Sequence, residues 1–200
     1  VRPPDRPAVR RRDVDVEPGG RFFRALAVPV DQVYITRDGS AGIIAEIWDA
    51  ESLREMPSEI PLLVHHFRAS VPIGVVHTAA FGPAGLWVEG ELLGSEGEVE
   101  GWRSKWAAGV YSGVSIGFRP SGRQIFRRSP VSGQPPLLLR RGCIIEELSV
   151  TQWPAYSKAG VMSVRRKSMR ADAAERELIE TEHQLAQLDM WNAKRKAKQL

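Results

Sequence analysis

The stretch YSGVSIGFRP (111–120) carries two serines, and four histidines stand elsewhere in the chain. A serine hydroxyl is not appreciably ionised at neutral pH. To act as a nucleophile it needs an imidazole to take its proton and a third group to orient that imidazole. Ser115 is bracketed by Gly113 and Gly117, while Val114, Ile116 and Phe118 alternate beside it. That alternation predicts a strand with one apolar face and puts Ser115 on the other face, toward a groove or solvent. Glycine on both sides lets a backbone or a substrate carbonyl come close. The same pattern also suits a half-exposed strand with a polar outer face and no chemistry.

The candidate bases are His65 and His66, adjacent in PLLVHHF (61–67), and His77 at the end of VPIGVVH (71–77). On one strand, neighbours point to opposite faces, so His65 and His66 are not expected to serve one site together. His183 lies in a highly charged segment and is expected to face solvent. Glu147, in EELSV, is the candidate orienting acid, with Glu146 beside it. Ser115, His66 and Glu147 would all sit on strands, the rigid placement that a catalytic constellation needs. Without function, His66 would be a hydrogen-bonded strand residue and Glu147 an exposed carboxylate. No HExxH or CxxC occurs, and His65 and His77 with a distant carboxylate match a metal site poorly, so no metal is expected. The single cysteine, Cys143, excludes an intrachain disulfide and a Cys-rich zinc site, and suits a reducing compartment.

The elements that must position these groups are mostly short strands. Residues 1–20, with early prolines and arginines at 10–12, read as a flexible basic arm. Strands are expected at 21–30, 41–48, 61–67, 71–77 and 85–92, with a turn at Asp38-Gly39. A short helix is expected from Asp49, ended by Pro57. Ser95 and Glu98 form a capping box, and Val99, Trp102, Trp106 and Val110 make the apolar stripe of the helix that follows. Residues 119–136 read as a long loop, and 137–150 as one strand or a hairpin turning at Arg141-Gly142. The fold class is α+β, mainly β: a small closed or nearly closed antiparallel β-barrel over 21–164 with flanking helix. Residues 165–200 form a basic linker and a charged amphipathic helix, with Leu178, Leu185 and Leu188 on a narrow face that suits pairing with another helix.

No apolar run approaches the ~20 residues of a membrane span and no signal peptide opens the chain, so a soluble, cytoplasmic protein is expected. The net charge of +4 is gathered in clusters at 2–12, 119–141, 165–170 and 194–198. That suggests acidic partners at the margins, with nucleic acid not expected in the core.

In order and with similar gaps, LLVHHF, PIG, GLWVEGEL, SGVSIGF, and EELSV with WPA resemble the prohead (capsid maturation) serine proteases of tailed bacteriophages. The resemblance runs from about Arg21 to Val164. It implies a barrel related to the herpesvirus assembly proteases, with no cofactor, that cleaves scaffold and major capsid protein, and itself, inside the immature head in the host cytoplasm. It makes Ser115, the serine of SIGF, the nucleophile. It makes His66, three residues after Leu63, the base. Matching ELSVTQWPA to the family's pattern makes Glu147 the third member. The family often has Asn-His-Asp where this chain has His65-His66-Phe67, and the herpesvirus relatives use a second histidine as third member. His77 and His65 therefore stand as alternatives, and Ser112 as an alternative nucleophile. Gly117 and Arg119 are candidate oxyanion or substrate contacts, with Arg127 and Arg128 in the same loop. A homodimer or higher oligomer is expected, with the tail docking on scaffold. An inactive head assembly or scaffold protein of the same fold, or a nucleic-acid-binding accessory protein, are the alternatives.

Overall fold

Alternating small and apolar residues draw the chain into strands almost from its first described residue. The computed structural model describes residues 14–30, 32–38, 42–55, 59–129 and 133–166. In order these form β1 (Asp15–Val16), β2 (Phe22–Pro29), β3 (Tyr34–Asp38), β4 (Gly42–Ile47), β5 (Leu53–Glu55), β6 (Ile60–Val64), β7 (Gly74–Gly82) and β8 (Gly85–Leu92). The helix α1 (Glu96–Ala107) follows, then β9 (Gly113–Pro120), β10 (Ile125–Arg127), β11 (Leu137–Leu139), β12 (Cys143–Thr151) and β13 (Gly160–Arg165).

Seven of these strands close into a barrel, in the order β13-β2-β8-β7-β6-β12-β9, and the pairing of Gly113 with Gly160 returns β9 to β13. The mainly β barrel is therefore as expected, with one correction to its antiparallel character. A ring with an odd number of strands cannot alternate direction throughout, so one neighbouring pair must be parallel. That pair is β6 with β12, in the register Leu62↔Leu148, Leu63↔Ser149 and Val64↔Val150. Inside the barrel, Val28, Leu86, Leu92, Val114 and Val150 have no exposed surface.

The capping box forms as expected, with Ser95 Oγ accepting from the Glu98 backbone N–H and the Glu98 carboxylate accepting from Ser95 N. Of its stripe, Val99 and Trp106 are fully buried, and Trp106 meets Phe23 edge-on at 5.9 Å. Val110 lies past the helix end and is exposed.

Several expected elements differ. Asp49 starts no helix: its carboxylate accepts from Glu51 N at 2.9 Å and its N–H donates to Ser52 Oγ at 2.8 Å, a turn that competes with helix formation. The chain then enters β5, parallel to β12. The run 137–150 is neither one strand nor a hairpin, because β11 and β12 belong to different sheets. At the break Arg140 N bonds Ile47 O at 3.0 Å and Gly142 takes φ 57°. The loop expected at 119–136 contains β10, and β3 and β13 were not expected at all. Of the basic arm, residues 14–20 are tied to the barrel: Val14 is buried and β1 pairs parallel with β13. Residues 1–13, the turn at Gly39 and the helix expected within 165–200 lie outside the described residues, as does His183. No helix among the described residues is long and apolar enough to cross a membrane.

A second sheet, β10-β11-β4-β3, is joined to the barrel by aromatic contacts such as Trp48 with Phe118 at 4.7 Å and by one buried carboxylate. Glu46 of β4 accepts from Trp48 Nε1 and Tyr156 Oη, both at 2.9 Å, and from Arg140 Nε at 2.7 Å and Nη2 at 2.6 Å. Burial, and then the charge of Glu46, push the Tyr156 phenol far up, so it stays a donor. Glu46→Ala strips a buried guanidinium of its carboxylate, and such a break costs about 3–5 kcal/mol. Urea unfolding of the variant is expected to show that loss at an unchanged m-value. A loss below about 1 kcal/mol would mean that this network does not hold the second sheet.

Candidate active site

Glu147, Ser149 and Thr151 alternate along β12 and so share its outer face. Across the antiparallel ladder they face Gly117, Ser115 and Gly113 of β9 respectively. The residues between, Leu148 and Val150, point into the core, as Val114 does. Ser115 is thus placed on the outer wall of the barrel, half-buried, directly opposite Ser149. Side chains so paired stand about 5 Å apart at Cβ.

Over this wall lies the turn that follows β6. Because β6 and β12 run parallel, the end of β6 arrives at the end of β12, and His65 N extends the ladder to Val150 O at 3.1 Å. His65 and His66 then both adopt left-handed backbone, with φ of 52° and 59°. This corrects the expectation that they lie on a strand and face opposite ways: both rings come down on the outer face of β12. His65 Nδ1 lies 3.2 Å from Thr151 Oγ1, and His66 Nδ1 lies 2.6 Å from Glu147 Oε1. Consecutive left-handed residues without glycine are strained, and here the strain is held by hydrogen bonds. His66 N donates to Ser149 Oγ at 2.9 Å, and Ser149 Oγ donates to Glu147 Oε2 at 2.7 Å.

That network fixes the chemistry of the imidazole. Glu147 is 2% exposed, so its charge is sustained only by donors it can reach. A carboxylate is acceptor only, so the His66 proton sits on Nδ1 and Nε2 of the neutral ring is left as an acceptor. The His66 side chain itself is 44% exposed and open to a substrate. A histidine held by a buried acid, on the barrel face that bears Ser115, has the orienting half of the arrangement that general-base activation of a hydroxyl uses.

Gly117, expected as an oxyanion or substrate contact, has a packing role of its own. A Cβ there would lie 2.1 Å from Glu147 Oε1, so its absence is what gives the carboxylate room to reach His66. Arg119 takes part in an exposed ion-pair clip. Its Nε meets Glu146 Oε1 at 3.1 Å, and Arg68, just past the histidines, meets Glu146 Oε2 at 2.7 Å. Four residues of strand, roughly 13 Å, separate Arg119 from Ser115. Glu146, displaced by a bulge beside Glu147, thus clips the histidine turn to β9.

Of the alternatives, His65 reaches the same face of β12 through Thr151, whereas Ser112 and His77 have other partners. Ser112 is 3% exposed, and its hydroxyl points back to Gly109 O at 3.4 Å. His77 is on β7, which pairs with β6 and β8, and lies 3.9 Å from Glu91. Arg127 is on β10 in the second sheet, and Arg128 follows it. Cys143 is fully buried, and burial pushes its thiol up to about 11, so it offers no thiolate at neutral pH. Among the described residues, no group of three or more His, Cys, Asp or Glu could hold a metal ion.

Ser149 was missed in the sequence. Its signal was available, since a residue two after Glu147 on a strand shares its face.

Gly117→Ala is expected to push the Glu147 carboxylate off His66. In ¹⁵N-histidine NMR, wild-type His66 in its neutral form should carry its proton on Nδ1, and the variant should shift toward the Nε2–H form. An Nε2–H ring in the wild type would contradict the network.

No protein-family model matches the chain, and no curated protein sequence does either.

Proposed function

We propose that the chain is a serine endopeptidase in which Ser115 is the nucleophile, His66 the general base and Glu147 the group that orients and supports the base. The observation that carries this reading is the 2.6 Å contact between His66 Nδ1 and a buried Glu147, on the barrel face that bears Ser115. His66 Nε2 takes the Ser115 proton as Oγ attacks a peptide carbonyl. The tetrahedral adduct collapses by giving that proton to the leaving amine, and an acyl-serine remains. Water, deprotonated by the same nitrogen, releases the acid and restores Ser115. During each transfer the imidazole becomes a cation, which the Glu147 carboxylate stabilises. β13 pairs with β9 only at Gly113, so alternate β9 N–H groups beyond it are turned to an open edge, where an oxyanion can be held.

The substrates we propose are phage scaffold and major capsid protein, and the chain itself, cleaved in the immature head. These follow from the resemblance of the SIGF, LLVHHF and ELSV segments to prohead proteases.

The test uses the purified full chain, incubated alone and with a peptide library, with products read by mass spectrometry. Ser115→Ala and His66→Ala should each lower cleavage by roughly 10³-fold or more, while Ser112→Ala keeps most of it. His65→Ala should retain more activity than His66→Ala. Full activity in Ser115→Ala would overturn the assignment.

A further inference from the structure

Two residues along β9 from Ser115, the segments that enter β9 and leave β12 form an open pocket of 240 Å³, which Gly113, Thr151, Val110, Tyr111 and Trp153 help to line. No charged side chain lines it. Trp153 is 57% and Val110 40% exposed, so apolar surface is turned outward here. The pocket is built with some care. Tyr111 is held at φ 56°, a conformation that a bulky aromatic adopts only under constraint. The His65 ring meets Tyr111 edge-on at 5.2 Å and stacks on Trp153 at 6.0 Å. Thr151 Oγ1 receives Trp153 N at 3.1 Å, which pins the aromatic in place, and Trp102 backs Tyr111 at 6.1 Å.

We infer that this pocket is a specificity site that takes one aromatic or large aliphatic side chain of the polypeptide substrate. The inference rests on reading Ser115 as the nucleophile. Gly113 and Thr151 lie on the same two strand faces as Ser115 and Glu147. Two residues along β9 is about 7 Å, so the side chain accepted lies within about two residues of the bond cut. The volume suits one side chain, being below the range of pockets that hold drug-sized ligands. With no counter-charge in the lining, a glutamate side chain is left desolvated and unpartnered, and a lysine has only the ring faces of Tyr111 and Trp153, so an apolar side chain is favoured. In this arrangement His65 braces Tyr111 and Trp153.

N-acetyl-phenylalanine amide, N-acetyl-lysine amide and N-acetyl-glutamate amide are titrated into the full chain, with Trp153 indole shifts followed by NMR. The phenylalanine amide is expected to bind at least tenfold more tightly than the other two. Val110→Glu should weaken it tenfold or more, and Trp153→Ala, followed by saturation transfer from the protein to the ligand, should do the same. Phe126→Ala, an exposed aromatic in the second sheet, should leave binding unchanged. Library cleavage sites should carry an aromatic or large aliphatic residue within two positions of the cut. Equal binding of the three amides, or binding retained in both pocket variants, overturns the inference. If the phenylalanine amide binds as expected and no peptide is cleaved, the reading of Ser115 fails while the pocket stands. If peptides are cleaved without side-chain preference, the reverse holds.

Discussion

A carboxylate buried in the outer wall of the barrel is the constraint on which the site depends. Glu147 has almost no contact with water, and leaving such a group without donors would cost several kcal/mol. It is supplied with an imidazole N–H on one oxygen and a serine hydroxyl on the other. Each supplier is positioned by the fold. Ser149 lies two residues along the same strand. His66 is delivered by the parallel pairing of β6 and β12, the one parallel pair in the seven-stranded ring. Gly117 completes the arrangement by leaving out the one atom that would fill the carboxylate's place.

The histidine turn is correspondingly strained and correspondingly tied. Two successive left-handed residues are held by backbone bonds to Val150 and to the Ser149 hydroxyl. Beyond them, Arg68 and Arg119 share Glu146, so the turn and β9 are joined by charge as well as through β12. The exposed part of this link is weak as a source of stability, being screened by solvent. Its effect is on geometry, since it ties the histidine turn to β9.

Much of this was legible in the residues. The SIGF alternation predicted that Ser115 leaves the core face, and Val114 and Ser115 divide in that way. The capping box at Ser95 and Glu98 marked the start of α1, because both partners of that motif are local. His65 and His66 were misjudged because strand parity applies only while a strand continues, and β6 ends at Val64. Nothing local announces that end, since histidine tolerates left-handed backbone without demanding it. The space beside Gly117, which the glycine leaves open to any neighbour, is taken by Glu147 from another strand. That filling depends on cross-strand register, which a single sequence does not display. The second sheet escaped for the same reason: Glu46 and Arg140 are 94 residues apart and look like ordinary surface charges until they are buried together.

The central claim is that Ser115 is a hydroxyl made reactive by His66. A small fluorophosphonate tests it directly, because an activated serine displaces fluoride from phosphorus and keeps the phosphonyl group, with no need to know the natural substrate. Intact mass and peptide mapping of the full chain should show one adduct, on Ser115, which is lost in His66→Ala. An adduct on Ser112, or labelling of Ser115 at the same rate without His66, would contradict the account.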